Sequence, residues 1–177
     1  MHLVILSVIL LKNGYIQKNK GKGSLVLDVD KVAFPVSGVM SFKELAKTIN
    51  SEVVTKVIEL SLNPVDVQMK KELYMDSGNY YKIRRIRSFD GERVILDTDY
   101  LNANIVPNIT ETIAADSLYN YIENELGLKI SFARKEFTVV KATEEEKNLL
   151  DMHEYDLLVC VKSYTYLDGS LLNLRCR

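Results

Sequence analysis

The feature that most constrains this chain is a pair of alternating runs, residues 80–87 and 93–101, meeting at Asp90-Gly91. Both runs are rich in β-branched and aromatic residues. An Asp-Gly dipeptide between such runs is the strongest short-range hairpin signal. A lone hairpin is marginal in water, so these strands must find further strands or a helical layer to cover them.

The rest of the chain supplies candidates. Residues 53–62, 130–141 and 156–167 have strand character. Residues 65–73 read as a helix, with Val65, Met69 and Leu73 spaced four apart. Ser41-Phe42-Lys43-Glu44 and Thr143-Glu144-Glu145-Glu146 are capping boxes that open helices. Residues 110–115 suggest a short helical turn. Asp116 or Ser117 then caps a stronger helix carrying Leu118, Tyr121, Ile122 and Leu126, stopped by Gly127. Near the start, Tyr15-Ile16-Gln17 and Ser24-Leu25-Val26-Leu27 flank a basic tip with Gly21 and Gly23, a second hairpin. Strands joined by tight turns and interleaved with helices predict an α+β fold, an antiparallel sheet flanked by helices. The last clear strand ends at Leu167.

Composition removes several functional classes. The chain has 177 residues and a net charge of -1, so it is one ordinary domain in size and no electrostatic magnet for nucleic acid. His2 and His153 are the only histidines, and no Cys/His spacing resembles a zinc site. Gly21-Lys22-Gly23 lacks the Lys-Ser/Thr and helix of a phosphate loop. No cofactor is expected. Residues 3–11 are apolar apart from Ser7, far short of the roughly 20 residues a membrane span needs. They lack the basic start and cleavage site of a signal peptide, so a cytoplasmic protein without membrane contact is expected. Cys160, inside the apolar run 157–161, reads as a buried small hydrophobe.

Arginine offers chemistry. On a strand, Arg85 and Arg87 share one face while Lys82 and Arg84 take the other. Two guanidinium forks about 7 Å apart suit a phosphate; the alternative is an edge strand solvated on both faces. The helix starts at Ser41 and Ser117 are either anion sites or ordinary caps. Asp97 depends on register. A two-residue turn pairs Arg85 with Leu96 and sends Asp97 to the opposite face, whereas a longer loop or a bulge brings Arg85 and Asp97 together.

Several segments together carry a resemblance: Asn13-Gly14-Tyr15-Ile16-Gln17-Lys18, Gly21-Lys22-Gly23-Ser24, Phe34-Pro35-Val36-Ser37-Gly38, Ser41-Phe42-Lys43-Glu44-Leu45-Ala46, Asp90-Gly91-Glu92, Val94-Ile95-Leu96-Asp97 and Tyr121-Ile122-Glu123. From about Asn13 to Asp168 the chain resembles the repressors of trehalose utilisation, GntR-family regulators whose sensor is a UTRA domain. The resemblance implies a chorismate-lyase-like α+β fold, a homodimer, and trehalose 6-phosphate as inducer. It implies phosphate contacts at Ser41, Phe42 and Lys43, at Arg85 and Arg87, and at Ser117 and Tyr119. It implies a sugar contact at Asp97, where the family commonly carries Glu. It divides the chain into a winged-helix remnant (1–27), a linker (28–35) and the UTRA domain (36–177). Lys18, Lys20 and Lys22 then lie on the wing, where they would touch DNA phosphates without reading sequence. The family's recognition helix would precede Asn13, and a further strand would follow residue 177, so operator binding is expected only of a longer protein. Two other classes stay in view. One is an enzyme, since chorismate lyase shares the fold. The other is a homologue acting through mixed dimers.

Overall fold

The computed structural model describes residues 16–19, 23–26, 52–167 and 170–176. The chain divides into two units, Met1–Phe34 and Pro35–Arg177. In the first, β1 (Ile16–Asn19) pairs antiparallel with β2 (Gly23–Val26), as the sequence suggests. The helix expected from Ser41 lies outside the described residues.

The second unit is built on a six-stranded antiparallel sheet. Its strands are β3 (Val53–Pro64), β4 (Asn79–Phe89), β5 (Glu92–Asn102), β6 (Phe132–Lys141), β7 (Leu157–Leu167) and β8 (Ser170–Cys176). Their spatial order is β3-β4-β5-β8-β7-β6. The strand latest in sequence therefore sits inside the sheet and joins the β4–β5 hairpin to the β6–β7 hairpin. Sequence patterning misses β8, although Asp168-Gly169 just before it is the same turn signal that marks the first hairpin.

Helices cover both faces. On one, α1 (Val67–Leu73) places Met69 and Leu73 against Tyr80, Tyr164, Leu171 and Leu174. It begins two residues later than periodicity suggests because Asp66 caps it, accepting the Met69 N–H at 2.7 Å. On the other face lie α2 (Glu111–Ala115), α3 (Leu118–Asn120) and a π-helical turn, Tyr121–Glu125. Ala114, Leu118, Tyr121 and Ile122 pack there with Ile83, Leu101, Val106 and Leu172. The helix expected from 117 to 126 is thus one α turn that widens into a π turn, and Gly127, at φ 66, ends it. A last helix, α4 (Glu144–Leu149), carries the full capping box expected at Thr143 and Glu146.

One expectation about burial fails. Leu157 and Val159 are 58% and 65% exposed, and Cys160 is only half-buried. The reason is register. Among the described residues β8 reaches no further along β7 than Lys162, so residues 157–161 have β6 as their strand neighbour and no second one.

Candidate functional site

The β4–β5 hairpin settles where Asp97 points. Its turn is the two-residue Asp90-Gly91, with φ of 49° and 89°, the positive pair that a type I′ turn demands. Taken alone, that turn would put Asp97 on the wrong face. A bulge corrects it: Ser88 pairs with Arg93, but Arg87 pairs with Ile95, so Val94 is the extra residue. Beyond the bulge Arg85 stands opposite Asp97. The short turn and the shared face are both present because one residue is inserted between them.

The result is a buried charge cluster on the face covered by α2 and α3. Arg85, Arg87, Asp97 and Asp99 are each 3% exposed or less. Such burial needs pairing, since an isolated ion in this setting is very costly. Arg85 donates from Nη2 to Asp99 Oδ2 and from Nη1 to the Ala114 carbonyl at 3.0 Å. Arg87 donates from Nε to Asp97 Oδ2 at 2.5 Å and from Nη1 to Thr55 Oγ1 at 3.2 Å. The same Asp97 oxygen lies 3.7 Å from Arg85 Nη2, which links the two pairs into one quartet. The alternative of a solvated edge strand is therefore excluded: β4 lies between β3 and β5, and these arginines point inward.

One donor in the quartet is unsatisfied. Arg85 Nε is buried and has no hydrogen-bond partner. Buried polar groups are paired in the great majority of cases, so an orphaned donor is a reason to look for an absent acceptor.

The covering layer brings two more of the expected residues. Ser117, nearly buried, caps α3 by accepting the Asn120 N–H at 3.2 Å. Its hydroxyl hydrogen stays available for donation. Tyr119 is buried, and its hydroxyl lies 3.4 Å from Thr165 Oγ1 on β7. Since Arg85 is bonded to Ala114, three residues before Ser117, sheet and helical layer are tied at the quartet. Lys82 and Arg84, as expected, lie on the other face, where they pair with Glu59 at 2.9 Å and Glu145 at 2.7 Å. Ser41, Phe42, Lys43, Lys20 and Lys22 lie outside the described residues, and of Lys18 only its place in β1 is described.

The sequence reading missed three members of this region: Asp99, Thr55 and Thr165. Asp99 was within reach, because strand alternation puts it on the face of Asp97 two residues earlier. The other two are polar residues on strands whose neighbours only the sheet order reveals. Away from this face, His153 has φ 48 and lies exposed, 3.5 Å from the Glu92 carboxylate. Among the described residues no group of three or more His, Cys, Asp or Glu could hold a metal, and no helix is long and apolar enough to cross a membrane.

Comparison with known proteins places this geometry in a family. The family profile of the UTRA domain matches residues 49–175. The HTH-type transcriptional regulator TreR of Bacillus subtilis (strain 168) is 45% identical over 164 residues, which span 92% of this chain and 69% of that regulator. The structure of the B. subtilis trehalose repressor (TreR) effector binding domain superposes with a TM-score of 0.64 at 39% identity, covering 70% of this chain and 87% of that one. PhnF from Mycobacterium smegmatis gives a TM-score of 0.74 at 20% identity over 95% of this chain and 74% of that one, a likeness of fold alone. Family profile, sequence identity and superposed effector domain agree: the chain belongs to the UTRA family, as the effector domain of a TreR-like GntR-type transcriptional regulator rather than an enzyme.

Proposed function

We propose that this chain senses a sugar phosphate, trehalose 6-phosphate, as the inducer of a repressor of trehalose utilisation. The observation that carries the reading is the buried quartet with an unpartnered Arg85 Nε, set beneath a serine-capped helix start. Guanidinium groups bind phosphate oxygens with charge-assisted bonds that a free sugar cannot replace. Arg85 and Arg87 would hold the phosphate with Ser117, Tyr119 and the 41–43 segment. Asp97 would accept sugar hydroxyls. The similarity to a trehalose repressor supports the choice of sugar.

In this reading residues 36–177 form the sensor, 1–27 a remnant of the DNA-binding domain with Lys18, Lys20 and Lys22 on its wing, and 28–35 the linker between them. The protein works in the cytoplasm as a homodimer, and operator DNA is a partner of a longer protein. The effector acts by favouring one dimer arrangement over another, with a coupling of about 1–3 kcal/mol.

Isothermal titration tests it. The chain should bind trehalose 6-phosphate tightly and trehalose or inorganic phosphate weakly, and Arg85→Ala/Arg87→Ala should abolish binding. Preference for another sugar phosphate would reassign the sugar and keep the site. A folded sample that binds no sugar phosphate would defeat the reading.

A further inference from the structure

The quartet contains more negative charge than a phosphate site needs. Two arginines in a desolvated pocket would attract any phosphate, including the inorganic ion that every cell contains in abundance. Here each arginine touches a carboxylate: Arg85 meets Asp99, and Arg87 meets Asp97 at 2.5 Å. The two cations and two anions cancel. Asp97 has a role in the reading above as the sugar contact. Asp99 has none. It is 0% exposed and bonded to the terminal nitrogen of Arg85.

The hydrogen-bond pattern of Arg85 separates its two ends. Its terminal nitrogens are held by Asp99 and by the Ala114 carbonyl, and only Nε is without a partner. Asp99 thus fixes the guanidinium plane and offsets its charge together. A ligand approaching Arg85 finds one directed donor, with the positive charge behind it already countered. An anion with nothing else to offer gains less from such a group, because the repulsion from the nearby Asp99 carboxylate subtracts from the attraction of Arg85, each term falling with its own distance. A phosphate ester gains the remaining affinity from its sugar.

We infer that Asp99 is a specificity-determining residue of the effector site: it counterbalances Arg85 so that a sugar phosphate binds and inorganic phosphate is refused. The inference rests on the reading of the quartet as the phosphate site. Specificity of this kind is a difference of affinities, achieved by weakening the competitor more than the ligand.

The test is titration of the full chain with inorganic phosphate and with trehalose 6-phosphate, comparing the native protein with Asp99→Asn. The variant should bind inorganic phosphate at least about tenfold more tightly, and the ratio of sugar-phosphate to phosphate affinity should fall by a similar factor. That ratio is a readout a purely structural role would not move in this direction. The double variant Arg85→Gln/Asp99→Asn removes one charge of each sign and should return phosphate binding to the native level or below. Near-UV circular dichroism checks each fold, and Asp99→Ser serves as the second neutral variant if Asp99→Asn does not fold. Unchanged or weakened phosphate binding in the folded neutral variants would overturn the inference while leaving the site reading intact. Failure of the native chain to bind any sugar phosphate would defeat the site reading itself.

Discussion

The β4–β5 and β6–β7 hairpins belong to one sheet, and their strands have nearly equal lengths, yet they live in different solvents. In β4–β5 the inward face is buried from Ile83 to Arg87 and from Ile95 to Leu101, and it carries two arginines paired with two aspartates. In β6–β7 every residue of β6 from Glu136 to Lys141 is exposed, although Phe137, Val139 and Val140 are apolar. The sequence makes the second pair look like core and the first like surface. The difference lies in the neighbours. β4 has a strand on each side and a helical layer above, whereas β6 is an edge, and the part of β7 paired with its exposed half runs beyond the described reach of β8. Burial is decided by what surrounds a strand, and the alternation within it fixes only which residues travel together.

The largest test of this contrast is insertion of one alanine between Ile95 and Leu96. With Arg87 paired to Ile95, the added residue would re-pair Arg85 with Leu96 and turn Asp97 and Asp99 away from the arginines. Two buried guanidinium groups would then lack their carboxylates, and the cooperative urea transition should be lost. Deletion of Val94 instead removes the bulge and keeps Arg85 opposite Asp97, so that variant should still unfold cooperatively. A native-like transition in the insertion variant would show that this register does not hold the quartet together.

Arg87→Ala comes next. It leaves Asp97 buried without its closest partner, and loss of one member of a buried pair typically costs about 3–5 kcal/mol. Urea unfolding should show that destabilisation, and a loss below about 1 kcal/mol would mean that the pair is hydrated.

Smaller effects are expected where the chain meets water. Thr143→Ala removes the side-chain cap of α4, whose Oγ1 accepts the Glu146 N–H at 3.2 Å, and should cost about 1 kcal/mol in the same assay. Asp151 supplies a pH dependence. Its hydrogen bonds from the Arg93 side chain and backbone hold its carboxyl down at about 2 from an ordinary 3.8. A depressed carboxyl stabilises the fold above its unfolded value and loses that contribution as pH falls toward the folded one. The melting temperature of native protein should exceed that of Asp151→Asn by a constant amount above pH 5, and the gap should close between pH 4 and pH 2. A gap that widened on acidification would reverse the sign. Smallest of all, Val139→Thr on the exposed ribbon should change stability by no more than about 0.5 kcal/mol.

Much of this architecture was legible in the sequence. Asp90-Gly91 announced the hairpin, Thr143 and Glu146 the capping box, and the alternation of Arg85 with Arg87 a shared face. What stayed hidden was relational. No local pattern shows that Val94 is a bulge, because a bulge is defined against the opposite strand. No periodicity shows that β8 enters between β5 and β7, since that is a matter of long-range pairing. Asp99 could have been read from its two-residue spacing to Asp97, but its pairing with Arg85 depends on the bulge.

The central claim is that the buried quartet receives the phosphate of the effector. The most direct measurement is the Nε–H resonance of Arg85 in a nitrogen-15 labelled sample, assigned through Arg85→Lys and followed during titration with trehalose 6-phosphate. A large shift of that resonance, saturating with the binding isotherm, is the predicted result. Saturable binding that leaves the Arg85 Nε–H resonance unmoved would place the phosphate elsewhere and contradict the account.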